Sequence, residues 1–205
     1  MKSFLTVDGV YRAEFETERS RFIASVMRVD CADDVKVNLE KVRKEFSDAT
    51  HHCYAYVIGN EQKASDDGEP QGTAGIPILE AIKRNNLDKV LVIVTRYFGG
   101  IKLGAAGLLS AYMRSASEVI DKSEIVEYIY SDVATAETDY NLYKKFSQYI
   151  INVGIILKTE YNDTVKVEFA VPTDKYEAVR LKLSELSAGK VNLIKQETNY
   201  YKYKR

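Results

Sequence analysis

Apolar positions along the chain follow three rhythms, and each predicts a different element. Val90 to Val94 is an unbroken apolar run, which predicts a strand covered on both faces, because a half-exposed strand would alternate polar and apolar residues. Val10–Phe15 and Arg21–Val29 have alternating or β-rich character and predict two strands joined by the charged turn Glu16-Thr17-Glu18. Val35, Leu39, Val42 and Phe46 recur at helical spacing and predict an amphipathic helix from Ala32, with Asp33 and Asp34 favourably placed in its first turn. His51–Ile58 reads as another strand. Pro77 opens a short helix through Ile78, Leu79 and Ile82 to Arg84, ended by Asn85-Asn86. From Gly104, the residues Leu108, Leu109, Tyr112, Met113, Ala116, Val119 and Ile120 again fall at helical spacing.

The texture changes after Ser123. Tyr128–Ala136 is β-like and Tyr140–Ile151 helical, and Ile155–Tyr161 and Thr164–Val171 flank an Asn162-Asp163 turn. A helix is expected over Thr173–Ser187 and a closing strand over Val191–Tyr200. This order, βαββαβ, is the ferredoxin-like pattern. With 205 residues, two domains of ~100 residues are a natural division, placed here at 1–125 and 126–205. The expected class is α+β.

Gly59–Gly75 contains alanine as its only apolar type, so it is expected to be a surface loop, and a loop of that length is a place to look for function. Its acids Asp66, Asp67 and Glu69 lack the remaining ligand positions of a calcium loop. His51 and His52 are adjacent on a strand and face opposite ways, so they do not share a metal. Cys31 and Cys53, the only cysteines, have no CxxC spacing. No metal or cofactor is therefore expected. No apolar run approaches the ~20 residues of a membrane helix, and no signal region opens the chain, which argues for the cytoplasm and against a membrane.

Net charge is −1 over the chain; residues 1–127 hold 17 Lys+Arg and 20 Asp+Glu, giving −3, and residues 128–205 hold 12 and 10, giving +2. Nucleic-acid binding would need a local patch. Ten of the fifteen tyrosines follow residue 127. Without an RNP1-like sequence, their packing is a better account than base stacking.

The segment with most chemistry is Thr95 to Gly104. Arg96 and Tyr97 sit at a strand exit, Gly99, Gly100 and Gly104 follow, and Lys102 lies among them. Such a loop can present backbone N–H groups, a helix N-terminus and two cations to an anion. It is neither a Walker A loop nor a dinucleotide fingerprint. The competing reading is structural: glycines permit tight turns, and Arg96 pairs with an acid.

Three blocks, Ser20–Ala24, Asp66–Leu79 and Thr95–Gly104, resemble the IMPACT family in its bacterial branch. The resemblance implies an N-terminal ribosomal protein S5 domain 2-like α/β two-layer domain followed by a ferredoxin-like domain. Together these resemble the last two domains of elongation factor G. It also implies a regulatory role, since eukaryotic relatives restrain the amino-acid-starvation kinase by competing for its ribosome-associated activator. This chain departs from the family motif at Ala106, where a glycine is usual, and at Ser110, where an arginine is usual.

The expectation is a non-enzymatic binding or regulatory protein, translation- or ribosome-associated, whose partner is RNA or a translation-associated protein. Its phosphate-binding residues would be Arg96, Gly99, Gly100, Lys102 and Gly104. Asp66, Asp67, Glu69, Thr73 and Tyr97 would shape the cleft. No Ser-His-Asp or Cys-His arrangement is legible, so no catalytic residue is assigned. The competing reading is a small enzyme or sensor acting on a phosphorylated ligand.

Overall fold

The structure, a computed structural model, describes residues 3–191 and 193–203. Its elements in chain order are β1 (Ser3–Val7), β2 (Val10–Thr17), β3 (Ser20–Arg28), α1 (Ala32–Glu45), β4 (His51–Ile58), β5 (Glu61–Ser65), α2 (Gly75–Arg84), β6 (Val90–Tyr97), α3 (Gly104–Asp121), β7 (Ile125–Thr138), α4 (Tyr140–Val153), β8 (Ile155–Tyr161), β9 (Val165–Pro172), α5 (Tyr176–Leu186) and β10 (Leu193–Tyr203). The described residues fall into two compact units, one spanning Leu5–Val126 and the other running from Glu127 onward together with Ser3 and Phe4.

In the Leu5–Val126 unit, five strands pair in the order β2-β3-β6-β4-β5, each antiparallel to its neighbours. β6 is the middle strand, and Val90 to Arg96 are all buried. Its alternate residues serve two cores. Val90, Val92 and Val94 pack with Phe22, Ala24, Cys53 and Ala55 under α2 and α3, while Leu91 and Ile93 pack with Met27, Tyr56 and the α1 residues Val35, Leu39 and Val42. This double cover is why the run lacks alternation, and each such aliphatic side chain contributes about 1.5–3 kcal/mol on burial. The α1 helix thus adds a third layer to the two expected from the sequence.

One expectation fails here. Glu61–Ser65 is not loop but β5, paired with β4 from Tyr54↔Ser65 to Ile58↔Glu61. An edge strand with one neighbour buries almost nothing, so the polar sequence Glu-Gln-Lys-Ala-Ser carries no hydrophobic signal, and its charges discourage further pairing.

In the other unit, β8-β9-β7-β10 forms an antiparallel sheet, with β1 as a further neighbour of β7. Ala134, Ala136, Val167 and Phe169 form a core with Phe146 and Ile150 of α4 and Val179 and Leu183 of α5. The expected strand Val191–Tyr200 passes through Asn192, which lies outside the described residues. The alternate positions of the central strands β7 and β9, which point away from that core, include Ile129, Ser131, Val133, Thr135, Glu137, Lys166, Glu168 and Ala170. None is aromatic, so this face has no stacking platform on its central strands. Tyrosines pack instead with one another, as in Tyr130 with Tyr200 at 5.1 Å and Tyr143 with Tyr161 at 5.9 Å.

Candidate functional site

The β6 strand ends with Arg96 on the α2/α3 side and Tyr97 on the other, because successive side chains alternate. Arg96 is 4% exposed. Its Nη1 donates to Glu69 Oε1 at 2.6 Å and its Nη2 to Ser20 Oγ at 3.2 Å, while Nε has no acceptor among the described residues. Glu69 Oε1 also accepts from the hydroxyl of Tyr112, a residue wholly buried in α3, at 2.7 Å. Cys53 Sγ, next along this chain of contacts, is 3.3 Å from that hydroxyl and 2.9 Å from the Asp66 carbonyl oxygen. Burial pushes the Cys53 thiol up to about 12, so it stays protonated and serves as a donor rather than a nucleophile. Burial likewise raises Tyr112, which stays a phenol.

The polar loop that follows β5 is fixed from within by its two aspartates. Asp66 accepts from the backbone N–H groups of Gly72, Ala74 and Gly75 at 2.8, 3.0 and 2.8 Å, and so covers the N-terminus of α2. Burial would raise its carboxyl, but the three N–H donors outweigh burial and hold it below its ordinary value. Asp67 accepts from the His52 backbone N–H at 2.7 Å and pairs with Arg43 at 2.8 Å. The acidic loop meets the glycine loop through neither aspartate but through Glu69 and Pro70. These two, with His51, Arg96, Phe98, Lys102, Leu103, Gly104, Ala105 and Leu108, line a cleft of about 370 Å³.

Within that cleft the charges are unequally spent. Arg96 and Glu69 neutralise each other. His51 Nδ1 lies 2.8 Å from the Asp67 carbonyl oxygen, which can only accept, so that nitrogen carries a proton; Nε2 lies 3.9 Å from Glu69 Oε1. Lys102 is exposed and has no hydrogen bond or ion pair with a described residue. At the start of α3, the N-cap Leu103 offers no side-chain acceptor and the first turn holds no acid. The free positive charge of the cleft is therefore Lys102 and the uncapped N–H groups of α3, and not Arg96.

The remaining sequence candidates have other roles. Thr73 donates to the Pro70 carbonyl at 2.7 Å and shapes the turn. The Tyr97 hydroxyl donates to Asp48 Oδ1 at 2.8 Å, away from the cleft. A Cβ on Gly99 would stand 1.9 Å from the Arg19 carbonyl oxygen, so this glycine permits backbone contact rather than cradling an anion. Gly104, with φ +72°, lets the chain turn from the loop into α3. Ala106 is exposed. Ser110 lines a neighbouring groove of about 310 Å³ with Phe15, Glu18 and Arg114, so this departure from the family motif does not touch the cleft. Among the described residues no group of His, Cys, Asp and Glu could hold a metal ion, and no helix is long and apolar enough to cross a membrane.

Sequence reading passed over three residues of the site. His51 enters there only as a metal candidate, Tyr112 only as an apolar helix position, and Phe98 is not singled out. The available signal was Tyr112, since a tyrosine on an otherwise apolar helix face needs a partner for its hydroxyl.

Comparison with known proteins gives two family matches, the Impact N-terminal domain over residues 18–120 and a domain of unknown function (DUF1949) over residues 137–190. The chain is 37% identical to IMPACT family member YvyE of Bacillus subtilis (strain 168), covering 98% of this chain and 94% of that one. It is 31% identical to IMPACT family member YigZ of Escherichia coli (strain K12), covering 95% and 98% respectively. Protein IMPACT of Homo sapiens matches at 39% identity over 42% of this chain and 29% of its own length. A crystal structure described as that of a hypothetical protein superposes with a TM-score of 0.63 at 30% identity, covering 96% of this chain and 98% of that one.

Proposed function

This chain belongs to the IMPACT family, and we propose that it is a non-enzymatic regulatory protein of translation, acting in the cytoplasm, that engages an RNA phosphate through the start of α3. The observation that carries this reading is the uncompensated positive end of the cleft: Lys102 has no anionic partner among the described residues, and α3 begins without a side-chain cap. A phosphate oxygen there would accept from N–H groups that otherwise have only water, with the helix dipole and one full charge acting in the same direction. Arg96, taken up by Glu69, holds the two loops together and leaves the anion to its neighbours. The translational setting is carried over from the family expectation, and a translation-associated protein bearing a phosphate or carboxylate is the other partner class.

Non-catalysis is favoured because the buried cysteine and tyrosine are held protonated and act within the fold. A second reading, a small enzyme or sensor of a phosphorylated molecule, draws on the size of the cleft, since about 370 Å³ falls within the ~300–1,000 Å³ of small-molecule sites. A thermal-shift screen of the purified chain against single-stranded RNA, nucleotides and sugar phosphates separates the two, because a bound ligand raises the melting temperature by mass action. Stabilisation by RNA supports the first reading. Stabilisation by a small phosphate ester, together with its turnover, supports the second.

A further inference from the structure

We infer that the cleft receives a single nucleotide, its base lying against the Phe98 ring and its phosphate meeting Lys102 and the first turn of α3. This rests on the anion-binding reading above and adds to it the class of ligand.

Phe98 is 47% exposed, although it follows directly on the most deeply buried strand of its unit. Its position is fixed all the same. The Phe98 backbone N–H donates to Thr50 Oγ1 at 3.1 Å, and the Arg96 guanidinium stands over the ring at 5.5 Å from its centroid. A ring supported by a cation and held by its backbone, with nearly half its surface open, is a prepared stacking surface. Pro70, Leu103 and Leu108 continue the apolar wall, and Lys102 marks the charged end. Apolar wall and anion-seeking end together describe a ligand that is flat and apolar on one side and anionic on the other.

The floor adds a further observation, independent of the helix N-terminus. Arg96 lines the cleft at its base, its Nη1 held by Glu69 and its Nη2 by Ser20. His51 Nε2 and the Glu69 carboxylate offer polar edges beside it. The volume suits one nucleotide rather than several, and the groove holding Ser110 shares Leu103 with the cleft, giving a following residue of a strand somewhere to run.

The same chemistry is offered by a free nucleotide or by one nucleotide of single-stranded RNA, and the test separates them. Binding of four probes would be measured at low salt: inorganic phosphate, uridine and adenosine monophosphates, a short oligoribonucleotide, and the same oligomer with abasic residues. The proteins are the parent, Phe98→Ala and Phe98→Tyr. Phe98→Ala should weaken binding of base-containing probes at least about fivefold, the low end of one lost stacking contact. Phe98→Tyr should restore that binding, and binding of phosphate and of the abasic oligomer should be unchanged by either substitution. Binding of the monophosphates as tightly as the oligomer assigns a free nucleotide, and binding of the oligomer alone assigns RNA. Equal affinity of parent and folded Phe98→Ala for base-containing probes overturns the inference while leaving the anion site standing. A parent protein that binds none of the probes overturns both.

Discussion

Glu69 and Arg96 meet at 2.6 Å with 4% and 5% of their side chains exposed, and through this pair the acidic loop is fastened to the end of the central strand. Breaking such a pair leaves one charge buried without a partner, which costs about 3–5 kcal/mol. Glu69→Ala and Arg96→Ala should each lose that much in chemical denaturation. Glu69→Gln should lose less, because its amide oxygen still accepts from Arg96 and Tyr112. Replacing both by apolar residues of similar size, Glu69→Leu with Arg96→Met, should recover most of the loss. Single variants as stable as the parent would contradict the structural role given to the pair.

Asp66 is the second point of attachment. Removing its carboxylate by Asp66→Ala uncovers the N–H groups of Gly72, Ala74 and Gly75 and should cost about 2 kcal/mol, the upper end for loss of a cap. The folded-state carboxyl is depressed, so its contribution is complete above the unfolded value of about 4 and is lost as pH falls through the folded value. The stability gap between parent and Asp66→Ala should therefore be constant near neutrality and close in acid. A gap that does not change with pH would contradict the role of the ionised form.

Gly99 and Gly100 are adjacent and should behave differently. An added Cβ at Gly99 meets the Arg19 backbone at 1.9 Å, whereas at Gly100 it meets nothing within 4 Å and only the backbone angle, φ +84°, is unfavourable. Gly100→Ala should cost about 1–2 kcal/mol, and Gly99→Ala clearly more, because backbone must move. Thermal denaturation of the two variants checks the order, and a reversed order would contradict the packing described.

Much of this was legible in the sequence because burial leaves a rhythm. The β6 run, the α1 and α3 periodicities and the βαββαβ order could be read from apolar spacing alone. β5 could not, because an exposed edge strand is defined by its partner and not by its own residues. Nor could the partner of Arg96. Three acids lie within four positions of one loop, and only the turn that sends Asp66 and Asp67 to backbone N–H groups leaves Glu69 to face the arginine. Spacing along the chain carries no record of that choice. Tyr112 and His51 escaped for a related reason, since one polar atom on a buried face alters no periodicity.

No core draws on buried residues of both units, which leads to the expectation that the two fold independently. Limited proteolysis should cut between Lys122 and Glu127 and release two fragments that each unfold cooperatively. A chain that resists cleavage there and melts as one transition would contradict independent folding.

The most direct test of the proposed function is the salt dependence of single-stranded RNA affinity for the parent and for Lys102→Ala. Lys102 is exposed and outside both cores, so the variant should fold with an unchanged melting temperature. The account predicts modest affinity in the parent that falls steeply with salt, with a log–log slope of about −0.7 per phosphate engaged, and a slope in Lys102→Ala shallower by about that amount. Identical affinity and slope in the two proteins, or no RNA binding by the parent at low salt, would contradict it.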